Sequence, residues 1–437
     1  MCGFTITKEP VESKLQHRGI EEFEDNHGGW QVRFNSLPLS SYETGITQPF
    51  KIGTYMITFN GEIFNYNDLI RGCKSDIHYL YKLMEKCKNN IEAFYKESLK
   101  WDGFWAICVI NSKGDVYSFT DPLGKKQLYY SPLGIASEIK AIAYDYKYKD
   151  YNENHFGTHN TNFYGIDRFM PGKLYKYEIG SNMPFQLMSL NYVYGTTDTN
   201  IIELINESVR TRLDNKYDGV SLLLSGGLDS NIILHHALKY TKDIDIVTIE
   251  NGETENVRRI CEMNGLNFRL IDDKFNMQDF ERAVYHYEYS LDYGSLMPNY
   301  MLFKEAKNSL VLTGDGADEL FSGYTRSMYS DTWQYDVFKE LPFYHNIRLD
   351  RMSMAFTKEA RSPLMSLPLL RFAKRQPRSL LLNKKILRDA YKDLLPDFII
   401  NGSKKPLRYK NDKKLNLENI KLKHEQIWND QIRKFHK

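Results

Sequence analysis

The chain has 437 residues, 42% of them hydrophobic and 26% charged, and a formal net charge of +2. At roughly 150 residues per domain this calls for two or three cores, and so even a charge balance sets up no global field that would select nucleic acid or an anionic membrane. Five cysteines (Cys2, Cys73, Cys87, Cys108, Cys261) form no CxxC pair, which argues against a disulfide framework or a cysteine zinc site and for a reducing compartment. The first residues, MCGFTITKEPVESK, contain no long apolar segment of the secretory kind. The longest apolar runs, such as Trp105 to Ile110, fall far short of the roughly 20 residues that span a bilayer. A cytoplasmic protein is expected.

Cys2 stands directly behind Met1. If Met1 is removed, one residue carries both a thiol nucleophile and a free α-amine of pKa about 8, which can take the thiol proton and relay it to a leaving group. The part that follows is strand-rich, with candidate strands at Gly3 to Thr7, Tyr55 to Phe59, Trp105 to Asn111, Val116 to Thr120 and Leu128 to Ser131. A helical pattern over Ile77 to Lys88 carries Leu80, Leu83, Met84 and Cys87 on one face. Strands with few helices imply an α+β layered domain.

The character changes near residue 195. A helix is expected near Asn200 to Leu213, then alternation: strand Val220 to Leu224, helix Asn231 to Tyr240, strand Ile244 to Glu250, helix Glu255 to Met263, strand Phe268 to Ile271, helix Asn299 to Lys307 and strand Leu310 to Thr313. Such alternation implies an α/β doubly wound parallel sheet. The remainder, Asp336 to Lys437, reads mainly as helix.

Between the first of these strands and its helix the sequence is Leu224-Ser225-Gly226-Gly227-Leu228-Asp229-Ser230. Glycines let backbone N–H groups close on an oxyanion, and the following helix N-terminus adds its dipole. Ser225 and Ser230 can donate hydroxyl hydrogen bonds, and Asp229 can hold Mg²⁺ or order the loop. No P-loop lysine is present, so a loop for pyrophosphate, and adenylyl transfer, is favoured over γ-phosphoryl transfer. The alternative, a glycine turn that only tightens a strand–helix junction, suits a bare Ser-Gly-Gly better than the whole hexapeptide. A second turn, Thr313-Gly314-Asp315-Gly316-Ala317-Asp318-Glu319, would face the same crevice. Its carboxylates either hold Mg²⁺–pyrophosphate or cap the next helix. One chain with both elements should release ammonia at one place and use nucleotide energy at another.

In these motifs the chain resembles the glutamine-hydrolysing asparagine synthetase family over nearly its whole length. The matching stretches, in order, are Met1-Cys2-Gly3-Phe4, His17-Arg18-Gly19, Asn60-Gly61-Glu62-Ile63-Phe64-Asn65, Ser75-Asp76, Asp121-Pro122-Leu123-Gly124, Ala136-Ser137-Glu138-Ile139-Lys140, the loop from Ser225, the segment Gly314 to Tyr324, Glu359-Ala360-Arg361-Ser362-Pro363, Lys384 to Arg388 and Lys404-Lys405. The resemblance implies an N-terminal-nucleophile hydrolase sandwich acting as a glutaminase domain (residues 2–190), followed by an ATP pyrophosphatase-type synthetase domain (residues 196–437). It implies that Cys2 attacks the glutamine carboxamide, that Asn60 and Gly61 form the oxyanion hole, and that Glu62 and Asp76 hold the α-amino group. Ser36, Leu37 and Leu39 would line the glutamine site. ATP would meet Leu224 to Ser230, Thr248, Thr313, Gly314, Lys384 and Lys404, with Asp229 and Asp318 on Mg²⁺ and Asp315 needed for the adenylate. The implied reaction turns aspartate into β-aspartyl-AMP and then asparagine. The expected partners are these small molecules, with nucleic acid disfavoured, no membrane, and a homodimer left open.

Three departures bear on substrate. The family's His-Arg-Gly-Pro-Asp is His17-Arg18-Gly19-Ile20-Glu21 here. Where the family has an Arg to clasp the glutamine carboxylate, this chain has Ser36; Arg33 lies three residues away, and a strand shift of three reverses its face. The stretch after Thr248, Ile249-Glu250-Asn251-Gly252-Glu253, is shorter than the family's loop. Two other readings therefore accompany the first: the same chemistry on a different carboxylate (a sugar acid, peptide or modified base), and a degenerate homologue that senses nucleotide or glutamine. Retention of both Cys2 and the whole Ser225–Ser230 loop argues against decay. His235-His236 is not expected to bind metal, because adjacent helical residues do not share a face, and the Lys-rich tail from Lys404 reads as solvated.

Overall fold

The computed structural model describes residues 2–12, 14–39, 46–143, 147–149, 151–192, 200–213, 219–272, 274, 276–402 and 426. Lys404 and the expected boundary near residue 195 lie outside them. Two compact units are formed. The first is Met1–Tyr192 with Tyr287–Leu291 and Lys339–Asp350; the second is Val193–His286, Asp292–Phe338 and Arg351–Lys437. Neither is an unbroken stretch of chain.

The described strands of the first unit are β1 (Cys2–Thr7), β2 (Glu21–His27), β3 (Trp30–Ser36), β4 (Phe50–Ile52), β5 (Tyr55–Ile63), β6 (Gly103–Asn111), β7 (Val116–Thr120), β8 (Tyr129–Ser131), β9 (Gly134–Ala136), β10 (Asp167–Arg168), β11 (Lys173–Tyr177) and β12 (Phe185–Ser189). They make two six-stranded sheets, β10-β8-β9-β1-β3-β2 and β12-β11-β7-β6-β5-β4, paired antiparallel. Strand alternation sends Cys2, Phe4 and Ile6 of β1, Trp30, Val32 and Phe34 of β3, Met56 of β5, and Ala106, Cys108 and Ile110 of β6 into one shared core. The opposite parity of β6 and β7 carries Trp105 and Phe119 to the far face. There Trp101 meets Trp105 at 5.0 Å and Tyr95 meets Phe119 at 5.1 Å between ring centroids. The helix Asp76–Lys86 starts where Ser75 Oγ accepts from the His78 N–H at 3.1 Å and buries Ile77, Leu80, Leu83 and Met84.

The sequence leaves β2 and β3 unassigned. Glu21-Glu22-Phe23-Glu24-Asp25-Asn26-His27 is an exposed edge strand with almost no apolar face, held by its register against β3. β5 runs four residues beyond the expected end, so that Asn60, Gly61 and Glu62 lie within a strand. Parity places Asn60 and Glu62 on the face of Met56.

The second unit has β13 (Val220–Leu223), β14 (Ile244–Ile249), β15 (Phe268–Ile271), β16 (Leu310–Leu312) and β17 (Glu359–Arg361) in one sheet ordered β15-β14-β13-β16-β17. Every neighbouring pair is parallel. The helices Leu228–Ala237, Thr254–Asn264 and Tyr293–Glu305 connect them. β17 is one strand within the last hundred residues, which are otherwise mainly helical where described. Glu359-Ala360-Arg361 looks polar, but Glu359 and Arg361 are buried and paired with each other, and Arg361 Nη1 donates to the Arg212 carbonyl at 2.9 Å. Among the described residues no helix is long and apolar enough to cross a membrane.

His236 is structural. Its ring nitrogens meet Asn206 Oδ1 at 3.0 Å and Tyr391 Oη at 2.6 Å, and burial, aided by Lys239 and His235, pushes its pKa down to about 3. The unfolded chain binds this proton near pH 6.5 and the folded chain does not, so the contribution is complete above 6.5 and is lost as pH falls toward 3. Between pH 6.5 and 5, urea unfolding should show a loss in the parent chain about 2 kcal/mol larger than in His236→Gln. Equal slopes would refute this assignment.

Candidate active site

In the first unit the nucleophile candidate opens a central strand. Cys2 pairs with Ser36 of β3, and β1 also pairs with β9. The Cys2 N–H donates to Asn60 Oδ1 at 3.2 Å. That bond fixes which way the amide of Asn60 points, and its Nδ2 is left buried with no hydrogen-bond partner. A donor desolvated at a cost of a few kcal/mol is what an incoming oxyanion would satisfy. Gly61 follows, at φ 155°, with the β6 backbone against it: a Cβ there would stand 2.8 Å from Trp105 Cα and closer still to the Phe104 carbonyl oxygen. No other residue fits. Glu62 is buried, and Asp76 accepts from the N–H groups of Ile77 at 2.8 Å and Ile63 at 3.3 Å. Asp76 therefore ties the start of its helix to the end of β5, whatever else it binds.

Ser36, Leu37 and Leu39 are all buried at the end of β3 and just beyond it. Arg33 does not replace a missing clasp. It lies on the other face of β3 from Phe34, where it donates to the Val11 carbonyl at 2.6 Å and pairs with Glu24.

The motif His17-Arg18-Gly19 has a role that its spacing does not reveal. Arg18 is fully buried, with its stem against the backbone of Gly3, where a Cβ would stand 2.6 Å from Arg18 Cδ. Arg18 Nε donates to the Cys2 carbonyl at 3.0 Å, and Nη1 donates to Glu138 at 2.6 Å. Gly19 presses on the Ser36 backbone, 2.5 Å from a hypothetical Cβ to Ser36 N. His17 Nε2 lies 3.1 Å from both oxygens of Glu138; burial lowers its pKa, against the pull of that carboxylate.

In the second unit, the strand order reverses between β13 and β16, and the two candidate loops leave the C-terminal ends of these neighbours. Open parallel sheets bind ligands at such a point. The loops touch: a Cβ on Gly314 would stand 2.9 Å from Ser230 N. Gly226 needs its left-handed φ of 86°, and the Glu253 carbonyl lies 2.5 Å from where its Cβ would be. Ser225 Oγ and Ser230 Oγ meet at 3.1 Å, Ser230 Oγ accepts from Ser225 N at 3.2 Å, and the helix from Leu228 begins behind them. Thr248 Oγ1 is buried with no hydrogen-bond partner, whereas Thr313 Oγ1 meets Ser362 Oγ at 2.9 Å.

Lys384 comes from far along the chain to the same place. Asn383 and Lys384 both adopt left-handed backbone, φ 53° and 58°, and their N–H groups donate to the Ser322 and Phe321 carbonyls at 3.0 Å. The lysine Nζ then sits 2.5 Å from Asp229 and 2.6 Å from Asp318. Glu319 is instead a loop tie, accepting from Gly316 N at 3.1 Å and from Tyr324 Oη. Asp315 is half-exposed just past β16. Among the described residues no cluster of three or more His, Cys, Asp or Glu could cage a metal. Two carboxylates that already grip one cation, one of them with a buried unpartnered oxygen at Asp229 Oδ1, fit the way Mg²⁺ is held beside phosphates.

Residues 200–348 and 333–435 match the family described as Asparagine synthase, and residues 39–144 match the Glutamine amidotransferase domain. Asparagine synthetase [glutamine-hydrolyzing] 1 of Bacillus subtilis is 24% identical over 395 residues, covering 78% of this chain and 61% of its own length. A probable asparagine synthetase of Acanthamoeba polyphaga mimivirus is 25% identical, covering 83% of this chain and 73% of its own. A putative asparagine synthetase of Methanocaldococcus jannaschii is 26% identical, at 82% and 77%. With more than half of its length matched by the synthase family and a glutamine amidotransferase domain ahead of that match, the chain belongs to the asparagine synthase family.

Proposed function

We propose that the protein is a glutamine-dependent asparagine synthetase that uses MgATP. The observation that carries this reading is the buried, unpartnered Asn60 Nδ2 beside Cys2. In the proposed first half-reaction the Cys2 thiol, its proton taken by the freed α-amine, attacks the glutamine carboxamide. Asn60 Nδ2 and the Gly61 N–H hold the oxyanion, the C–N bond breaks, and ammonia leaves with the relayed proton. Water then releases glutamate from the thioester. Glu62 and Asp76 supply negative charge for the substrate α-amino group.

In the proposed second half-reaction the aspartate side-chain carboxylate attacks the α-phosphorus of ATP and pyrophosphate departs. Ammonia then displaces AMP, giving asparagine. Within Leu224 to Ser230 and Thr313-Gly314, the hydroxyls of Ser225 and Ser230 and the N–H groups of Gly226 and Gly314 would be the donors to phosphate, while the N–H groups of Leu224 and Thr313 anchor the loops on the Val247 and Arg361 carbonyls at 3.0 Å; Thr248 adds a free hydroxyl, and Asp315 is assigned to the adenylation step. Mg²⁺ would neutralise phosphate charge while held by Asp229 and Asp318. Lys384, already poised between those two residues, would turn its ammonium to the pyrophosphate, and Lys404 is proposed for the same role.

A second reading keeps these steps and changes the acceptor. It is favoured by the short segment after β14, which folds back on the nucleotide loop: Asn251 Nδ2 donates to the Ser225 carbonyl at 3.4 Å and Asn256 Nδ2 to that of Gly226 at 3.3 Å. Glutamine-dependent pyrophosphate release across a panel of carboxylates separates the two readings. Absence of AMP with every acceptor, under both glutamine and ammonium, would sink both.

Three results are expected. Cys2→Ala should abolish glutamine-dependent AMP formation and leave the ammonium-dependent rate intact. Asn60→Ala should lower kcat for glutamine hydrolysis by about 10²–10³ with little change in KM, so a loss confined to KM would contradict an oxyanion role. Ser36→Arg should lower the KM for glutamine by about tenfold or more, the scale of one charge-assisted clasp; an unchanged KM would show that the carboxylate is already held.

A further inference from the structure

Seven side chains of the first unit form a buried ionic cluster, and part of it comes from the second half of the sequence. Arg18, Lys126 and Lys140 supply three cations; Glu138, Glu288 and Asp350 supply three carboxylates; His17 caps Glu138. All six charged residues are at most 4% exposed. Lys140 lies 3.0 Å from Glu288, whose oxygens also accept the N–H groups of Lys140 at 2.8 Å and Ile139 at 3.1 Å.

Within this cluster Asp350 grips Arg18 by a fork: Nη1 to Oδ2 at 2.9 Å and Nη2 to Oδ1 at 3.2 Å. Such a two-point pair fixes the plane of the guanidinium as well as its position. Glu138 meets Nη1 but is shared with Lys140 and His17. The remaining donor of that plane, Nε, holds the Cys2 carbonyl at 3.0 Å. Cys2 is thus pinned on both sides of its Cα, its nitrogen by Asn60 and its carbonyl by Arg18. With the nitrogen and the carbonyl both held, the direction of the Cα–Cβ bond, and so the reach of Sγ, is fixed too.

We propose that Asp350 is a positioning residue for Cys2, acting through Arg18, so that glutamine hydrolysis depends on a carboxylate contributed from beyond the synthase half's first four strands. This rests on the glutaminase reading above. A misplacement of about 1 Å from near-attack geometry can cost about two orders of magnitude in rate. The test compares glutamine hydrolysis and thermal midpoint for the parent, Asp350→Asn, and Asp350→Asn combined with Lys126→Met. The double variant removes one cation with one carboxylate and so keeps the pocket balanced if the single variant fails to fold. Both variants are expected to lose at least tenfold in kcat with KM for glutamine within twofold, and the double variant to melt within a few degrees of the parent. A double variant with the parent's kcat, or a loss that appears in KM alone, overturns the positioning role. A parent chain that hydrolyses no glutamine refutes the glutaminase reading itself, a separate outcome.

Discussion

Burying an arginine beside Cys2 is the constraint around which the first unit is arranged. A guanidinium out of water is tolerated only with its hydrogen bonds and counter-charges complete, and Arg18 obtains them from a main-chain carbonyl and two carboxylates. The sequence makes room for it by omission: Gly3 has no side chain where the arginine stem lies. The same economy recurs at Gly61, where β5 and β6 approach too closely for a Cβ. The neighbourhood of Cys2 is thus built from two glycines, one amide and an arginine held by two carboxylates, on or against central strands. Rigid strands hold such a group more tightly than a loop would.

The second unit solves a different problem, gathering two glycine-bearing loops and a charge triad at one crevice of a parallel sheet. Adjacent β13 and β16 end in glycine-bearing loops that touch, and the distant Lys384 is delivered between Asp229 and Asp318 by two left-handed residues. Left-handed backbone costs a non-glycine residue about 1 kcal/mol or more. Here it is retained where the lysine closes a charge triad.

Much of this was legible in the residues. The alternation of apolar strands and helices after residue 200 gave the parallel sheet, because buried parallel strands are continuous apolar runs. Val116–Thr120 and Phe268–Ile271 ended where expected because turn residues bracket them. Part of what escaped was polar: β2 has almost no apolar face to announce it, and β17 carries Glu359 and Arg361, whose charges cancel only once they are side by side. Arg18 was legible as part of a motif, but its partners Glu138 and Asp350 lie 120 and 332 positions away. No periodicity connects such residues. The parity argument for Arg33 needed only the strand, and that residue does face away from the core.

The scattered membership of the first unit has a consequence for how the chain matures. Glu288 and Asp350 are synthesised long after Arg18, Lys126 and Lys140, which they neutralise. A nascent polypeptide halted at residue 192 would hold these three cations at its centre with Glu138 as the cluster's one carboxylate and two positive charges left unbalanced, so this unit cannot close vectorially as the ribosome moves on. Its completion waits for residue 350 to emerge, after β13 to β16 of the second unit have already been made.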